Sequence, residues 1–125
     1  MESNRNDPHA GFAVAMHGRS LDNADAAVIL VHGRGATAES ILELSSHLHQ
    51  PNFAYLSPQA ADNTWYPYSF LAPLEKNEPY LSSGLNTIDR LVREVVDSGI
   101  PAERIVLAGF SQGGCLASEY VARNA

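Results

Sequence analysis

Residues 104–117, Arg104-Ile-Val-Leu-Ala-Gly109-Phe-Ser111-Gln-Gly113-Gly114-Cys-Leu-Ala, decide how the rest of the chain is read. The branched apolar run from Ile105 to Ala108 predicts a buried strand, and Cys115 to Arg123 predicts a helix. Gly109-Phe110-Ser111-Gln112-Gly113 stands between them, so the order is strand, G-x-S-x-G, helix, the pattern of a nucleophile elbow. The spacing has a steric reason. The turn is so sharp that Ser111 takes a strained backbone conformation with its hydroxyl exposed at the strand's carboxyl end. Side chains two positions to either side would collide with neighbouring backbone, so both positions prefer glycine. The next helix begins just after Ser111, and its free N–H groups face any negative charge developing there. The competing reading is a plain Gly-rich turn that merely carries a serine.

Working outward, Ala26-Ala-Val-Ile-Leu-Val31 is a continuous apolar run, the pattern of a strand buried on both faces of a parallel sheet. It leads into His32-Gly33-Arg34-Gly35-Ala36. Thr37 to His49 predicts a helix whose stripe is Ile41, Leu42, Leu44 and Leu48, stopped by Pro51. Phe53 to Leu56 predicts the next strand, ending at Ser57-Pro58-Gln59. Ala60 to Pro79 is a loop of a length that is usually functional in a compact domain. Leu85, Ile88, Leu91, Val92, Val95 and Val96 mark an amphipathic helix closed by Gly99 and Pro101. Gly11 to Met16 predicts an edge strand, and residues 1–8 a disordered start. This alternation calls for an α/β fold: a mainly parallel sheet with right-handed crossovers and helices on both faces. Ligands in such sheets bind at the carboxyl ends of the strands, where His32-Gly33-Arg34, Ser57-Pro58-Gln59 and Ser111 all fall.

Composition bounds the partners. The 125 residues carry a formal charge of −6, which argues against nucleic acid or an anionic membrane, since phosphate binding needs clustered Lys and Arg. A hydrophobic content of 45% with 18% charged residues matches an ordinary soluble domain. No apolar run approaches the roughly 20 residues of a membrane span. Met1 to Ala10 lacks the apolar core of a secretory signal, and Cys115, the single cysteine, cannot close an internal disulfide. A cytoplasmic setting is the default expectation. No metal or other cofactor is expected.

A serine hydroxyl needs a general base, usually with a third group orienting it, and attack on an ester or thioester carbonyl builds an oxyanion best met by fixed N–H donors. One donor is the amide of Gln112, immediately after Ser111. The other is the amide of Arg34, which Gly33 and Gly35 free to turn toward the same spot. The Arg34 side chain either draws an anionic substrate group or is a solvated surface arginine. Cys115, one turn into the helix, reads as a small core residue. His9 and His17 read as surface residues, and His47 and His49 as partners of a helix's last carbonyls.

His32-Gly33-Arg34-Gly35-Ala36, Ser57-Pro58-Gln59, Trp65-Tyr66 and Gly109-Phe-Ser111-Gln-Gly113-Gly114 together resemble the phospholipase/carboxylesterase family of α/β-hydrolases, which includes acyl-protein thioesterases. The resemblance runs from Ala26 onward. It implies the α/β-hydrolase fold, Ser111 as nucleophile, and Arg34 and Gln112 as oxyanion donors. It also implies that Trp65 and Tyr66 line the acyl or leaving-group side of the pocket, against the alternative of plain loop packing. His32 becomes a loop-shaping residue rather than the base. The implied function is a serine hydrolase acting on a small-molecule ester or acyl thioester.

One departure qualifies the match. In this fold the triad runs Ser, then Asp or Glu, then His. After Ser111 the chain offers Glu119 as its one acid and no histidine, and Glu119 lies about two turns along the same helix, carried away from the serine. The helix reaches Ala125 without a capping glycine or a following strand, which would leave the elbow strand as a bare apolar edge. The expectation is therefore the N-terminal part of a single longer α/β-hydrolase domain, truncated after the nucleophile helix and inactive by itself. The alternative is a non-catalytic binding module that keeps the pocket without the triad. Peptidase or dienelactone-type lactonase chemistry on the same elbow stays open.

Overall fold

The computed structural model describes residues 7–47 and 52–124. Its centre is β2 (Ala26–Val31), whose apolar run is buried from Ala27 to Val31 because a strand lies on each side of it. β3 (Phe53–Ser57) and β4 (Ile105–Gly109) both pair with it in parallel, with Val28 opposite Tyr55 and Val106. β1 (Ala15–Gly18) adds an antiparallel edge on β3, giving the order β1-β3-β2-β4. Parallel pairing brings the ends of β2 and β4 level, Val31 opposite Gly109, so their following loops open on one rim.

The alternation of side chains along β2 and β3 feeds two cores, one on each face. Ala27, Ile29, Val31 and Leu56 pack against Ile88, Leu91 and Val95 of α2 (Tyr80–Asp97) and Leu116 of α3 (Gln112–Asn124). Val28, Leu30 and Tyr55 point the other way, onto Ile41 of α1 (Ala38–Leu42). Each of these large apolar side chains contributes about 1.5–3 kcal/mol by leaving water. α2 and α3 are also tied by the Tyr120 hydroxyl, which donates to Asp89 Oδ1 at 2.8 Å. Burial, then that carboxylate, pushes the Tyr120 phenol up to about 12, while Arg93 and Tyr120 hold the Asp89 carboxyl below its usual range.

Four local expectations are corrected. The helix expected from Thr37 to His49 is α-helical over Ala38–Leu42 and tightens to a 3₁₀ turn over Glu43–His47. Its start is well capped: Thr37 Oγ1 accepts from the Ser40 amide and Ser40 Oγ from the Thr37 amide, both at 3.1 Å. Past Leu42 the hydroxyls of Ser45 and Ser46 donate back to the carbonyls of Leu42 and Glu43, at 2.7 and 2.8 Å, and compete with α-helical bonding. Leu44 is exposed as a result, and Leu48, His49 and Pro51 lie outside the described residues.

The edge strand expected over Gly11 to Met16 begins at Ala15 instead, because the chain before it is fastened to α2 rather than to the sheet. The His9 amide donates to Ser83 Oγ at 2.9 Å, Ser83 Oγ donates to Asp7, and Asp7 pairs with Arg90 at 3.1 Å. Residues 1–6 lie outside the described set. His9, expected at the surface, is 2% exposed. Finally, β4 is half-buried rather than buried: it forms the sheet edge, and Val106 on its outer side is 51% exposed.

Candidate active site

The elbow has the conformation its sequence demands. Ser111 has φ +57°, in the left-handed region that a non-glycine residue rarely adopts, and it is exposed at the carboxyl end of β4. Helix α3 starts at the next residue, Gln112. The two flanking glycines have no room for a side chain. A Cβ on Gly109 would stand 2.6 Å from the Gly114 nitrogen, and one on Gly113 2.6 Å from the Val31 carbonyl carbon and closer still to the Val31 and His32 oxygens. Gly113 thus lets α3 pack directly on the end of β2. The Phe110 amide donates to Val31 O at 3.1 Å and completes the junction.

The loop after β2 lies against this elbow. A Cβ on Gly33 would sit 2.9 Å from Phe110 O and 3.3 Å from Ser111 Cβ, so backbone alone fits there. Gly35 has φ +79° and donates its amide to Asn63 O at 2.7 Å. The Arg34 side chain is exposed and lies over the loop after β3. Its Nη1 and Nη2 donate to the carbonyls of Pro67 and Tyr68, each at 3.3 Å, and staple the loop after β2 to the loop after β3. Among the described residues, the amides of Arg34 and Gln112 are not committed to any backbone carbonyl.

Beneath the rim, Trp65 organises the contacts. Its indole has no solvent exposure and is flanked by two imidazoles, His32 at 5.2 Å in a stacked arrangement and His9 at 4.9 Å tilted by 60°. Trp65 Nε1 donates to His32 O at 2.9 Å. His32 is fully buried: Nδ1 donates to Gly33 O at 2.8 Å, and Nε2 accepts from the Ala60 amide at 3.1 Å. Burial lowers its pKa, so it stays neutral with both nitrogens engaged. Its two ring bonds tie the loop after β2 to Ala60.

Gln112 belongs to the site twice. Besides its amide, its buried carboxamide accepts from the Trp65 N–H at 2.7 Å and donates to Tyr66 O at 2.9 Å. Sequence reading missed this second role, as it missed His9, whose Nε2 donates to Trp65 O at 2.6 Å. Both polar residues sit next to short apolar or glycine-rich stretches, the one signal that would have suggested a buried role. Trp65 and Tyr66 are both buried. An indole that must satisfy one N–H and bury a large apolar ring gains more by turning inward. The Tyr66 phenol is pushed up to about 12 by burial and by the adjacent Cys115. Cys115 itself is a free, half-buried thiol, and Glu119 is paired with Arg123 at 2.7 Å.

An apolar cavity of about 330 Å³ opens beside the elbow on the α1 side, lined by Gly33, Ala36, Ile41, Leu44 and Phe110 among others. Among the described residues, no three His, Cys, Asp or Glu side chains are grouped to hold a metal ion, and no helix is long and apolar enough to cross a membrane.

Residues 18–123 match the phospholipase/carboxylesterase family. The acyl-protein thioesterase 1 of Cryptococcus neoformans var. neoformans serotype D (strain JEC21) is 34% identical over 108 residues, covering 73% of this chain and 45% of that protein. The acyl-protein thioesterase 1 of Yarrowia lipolytica is 26% identical, over 73% of this chain and 51% of its own length. A crystal structure of a phospholipase/carboxylesterase from Dyadobacter fermentans superimposes with a TM-score of 0.88 at 45% identity, covering 92% of this chain and 55% of that one. The structure of esterase PE8, 18% identical with a TM-score of 0.64, shares the fold. The chain spans about half the length of the relatives it matches. With its strand–Gly-x-Ser-x-Gly–helix elbow and a family match over residues 18–123, the chain belongs to the phospholipase/carboxylesterase family of α/β-hydrolases.

Proposed function

We propose that this chain supplies the nucleophile half of a serine hydrolase that cleaves carboxylic esters or acyl thioesters through an acyl-serine intermediate. One observation carries the reading: Ser111 is held exposed at φ +57° between two glycines that have no space for a side chain. Ser111 Oγ attacks the substrate carbonyl as its proton passes to a general base, which later returns it to the departing alkoxide or thiolate. The electron pair displaced onto the carbonyl oxygen is met by the amides of Gln112 and Arg34. Collapse of this intermediate expels an alkoxide or thiolate, and water then releases the acid from the acyl-serine. Trp65 and Tyr66 act on the substrate side through the backbone they hold in place. The apolar cavity beside Gly33 and Phe110 gives an apolar acyl or leaving group a place next to the serine.

No histidine follows Ser111 in the sequence, and His32 and His9 have both ring nitrogens bonded. Neither of these two rings is free to serve Ser111 as a base, and the 125 residues by themselves are expected to turn over little substrate, the residual rate coming from binding and the oxyanion donors. The substrate is a small-molecule ester or thioester rather than nucleic acid, in keeping with the net charge of −6, and the setting is cytoplasmic, in keeping with one unpaired cysteine. The test is labelling by a fluorophosphonate of this chain extended to the full length of its relatives, against the same protein carrying Ser111→Ala.

The exposed β4 edge favours a second reading, a binding module that accepts a partner strand there. Light scattering separates the two. A monodisperse, inactive monomer supports the binding module, and association through the open edge supports the hydrolase.

A further inference from the structure

We infer that His9 is a positioning residue for the serine elbow: with His32 it forms a two-imidazole clamp on Trp65 that fixes the Trp65–Tyr66 segment against Gln112. The two rings hold consecutive amides of one loop. His32 Nε2 accepts from Ala60 N–H at 3.1 Å, and His9 Nδ1 accepts from Ala61 N–H at 2.9 Å. Each ring's other nitrogen faces a carbonyl oxygen, which can only accept: Gly33 O for His32 Nδ1 and Trp65 O for His9 Nε2. The two imidazoles are therefore neutral and in opposite tautomers, Nδ1–H for His32 and Nε2–H for His9. The indole lies between them and donates to His32 O, while the Trp65 amide donates to Gln112, the residue after the nucleophile. A continuous path of hydrogen bonds thus runs from His9 through Trp65 to both sides of the candidate oxyanion site.

The clamp is proton-sensitive by construction. Adding a proton to either ring turns its accepting nitrogen into a donor aimed at an amide N–H, which breaks the bond and leaves two donors opposed. The titratable groups facing His9 are Asp7 from the N-terminal segment and His32 across the indole, with the Tyr80 ring of α2 at 5.9 Å. Glu39 of α1 faces His32. Both carboxylates favour protonation and burial opposes it; burial is the larger effect for each ring. The catalytic value of the clamp rests on the reading of Ser111 given above, but the clamp itself does not, and its test uses no substrate.

Long-range proton–nitrogen NMR of the imidazoles in the 125-residue chain gives the first result. At about pH 6.5, where histidines of the urea-unfolded chain are half-protonated, His9 and His32 are expected neutral, His9 as the Nε2–H and His32 as the Nδ1–H tautomer. A protonated His9, or His9 as the Nδ1–H tautomer, overturns the proposal without any variant having to fold. Hydrogen exchange in His9→Gln and His9→Phe gives the second, with Ile88→Val as a control for general loosening of the core. The clamp predicts that exchange at the Ala61 and Trp65 amides rises about five- to tenfold beyond the rise in α2 and α3, the equivalent of one hydrogen bond lost locally. A uniform rise matching that of Ile88→Val reduces His9 to a packing residue and contradicts the inference.

Discussion

Gln112 reaches back from the first turn of α3 to hold Trp65: its Oε1 accepts from the Trp65 amide at 2.7 Å, and its Nε2 donates to Tyr66 O at 2.9 Å. The residue after Ser111 therefore starts α3 with its backbone and holds the Trp65–Tyr66 segment with its side chain. Gln112→Ala strands a buried N–H and a buried carbonyl and is expected to cost about 2 kcal/mol. A shift of the urea midpoint at unchanged m-value measures this, and a loss within about 0.5 kcal/mol would mean that water replaces the carboxamide.

The paired glycines of the elbow are expected to respond unequally. Gly113→Ala drives a methyl into the carbonyls of Val31 and His32, which are backbone and cannot move aside, and should cost about 3 kcal/mol or more. Gly114→Ala meets Gly109 O at 3.2 Å, a tight but relievable approach, and gains helix propensity of about 1 kcal/mol. Its net change should stay within about 1 kcal/mol. Equal costs in parallel denaturant titrations would show that packing of α3 on β2 does not set the glycine requirement.

Strain at Ser111 is open to the same measurement. Ser111 at φ +57° carries about 1–2 kcal/mol that glycine would not. Ser111→Gly is expected to be neutral or stabilising by up to about 1 kcal/mol, after the added freedom of the unfolded chain is subtracted. Ser111→Val, β-branched in the left-handed region, should be clearly destabilising.

Much of this was legible because the chain's strongest local signals agree with its topology. The run from Ala26 to Val31 had to be a central strand, and the elbow at Ser111 follows from glycine spacing alone. Illegible were contacts made across long stretches of chain by residues of ordinary type. Nothing near His9 announces that its ring accepts from Ala61, 52 residues on, and nothing near Trp65 announces that its indole turns inward between two histidines. Local propensity also misjudged the stretch after Leu42, where serine hydroxyls bonded to the backbone divert a helix that the apolar spacing favoured.

The two buried histidines predict how stability varies with pH. Burial lowers the folded-state pKa of both from the ordinary 6.5, so below that value the unfolded chain binds more protons than the folded one. Their contribution is fully present above about pH 6.5 and is lost as pH falls toward the lowered folded-state values. Urea titrations from about pH 7.5 down to about pH 5 should show stability falling with acidification. The slope should be shallower in His9→Phe, which has one such group fewer. A flat profile in the unmodified chain would show that neither ring is buried neutral.

The most direct test of the account is covalent labelling of Ser111 by a fluorophosphonate in the chain extended to the full length of its relatives. The account predicts a single labelled peptide containing Ser111, and no label once Ser111→Ala is introduced in a protein that still folds. Undiminished labelling of the Ser111→Ala protein, or label on another side chain, would contradict it.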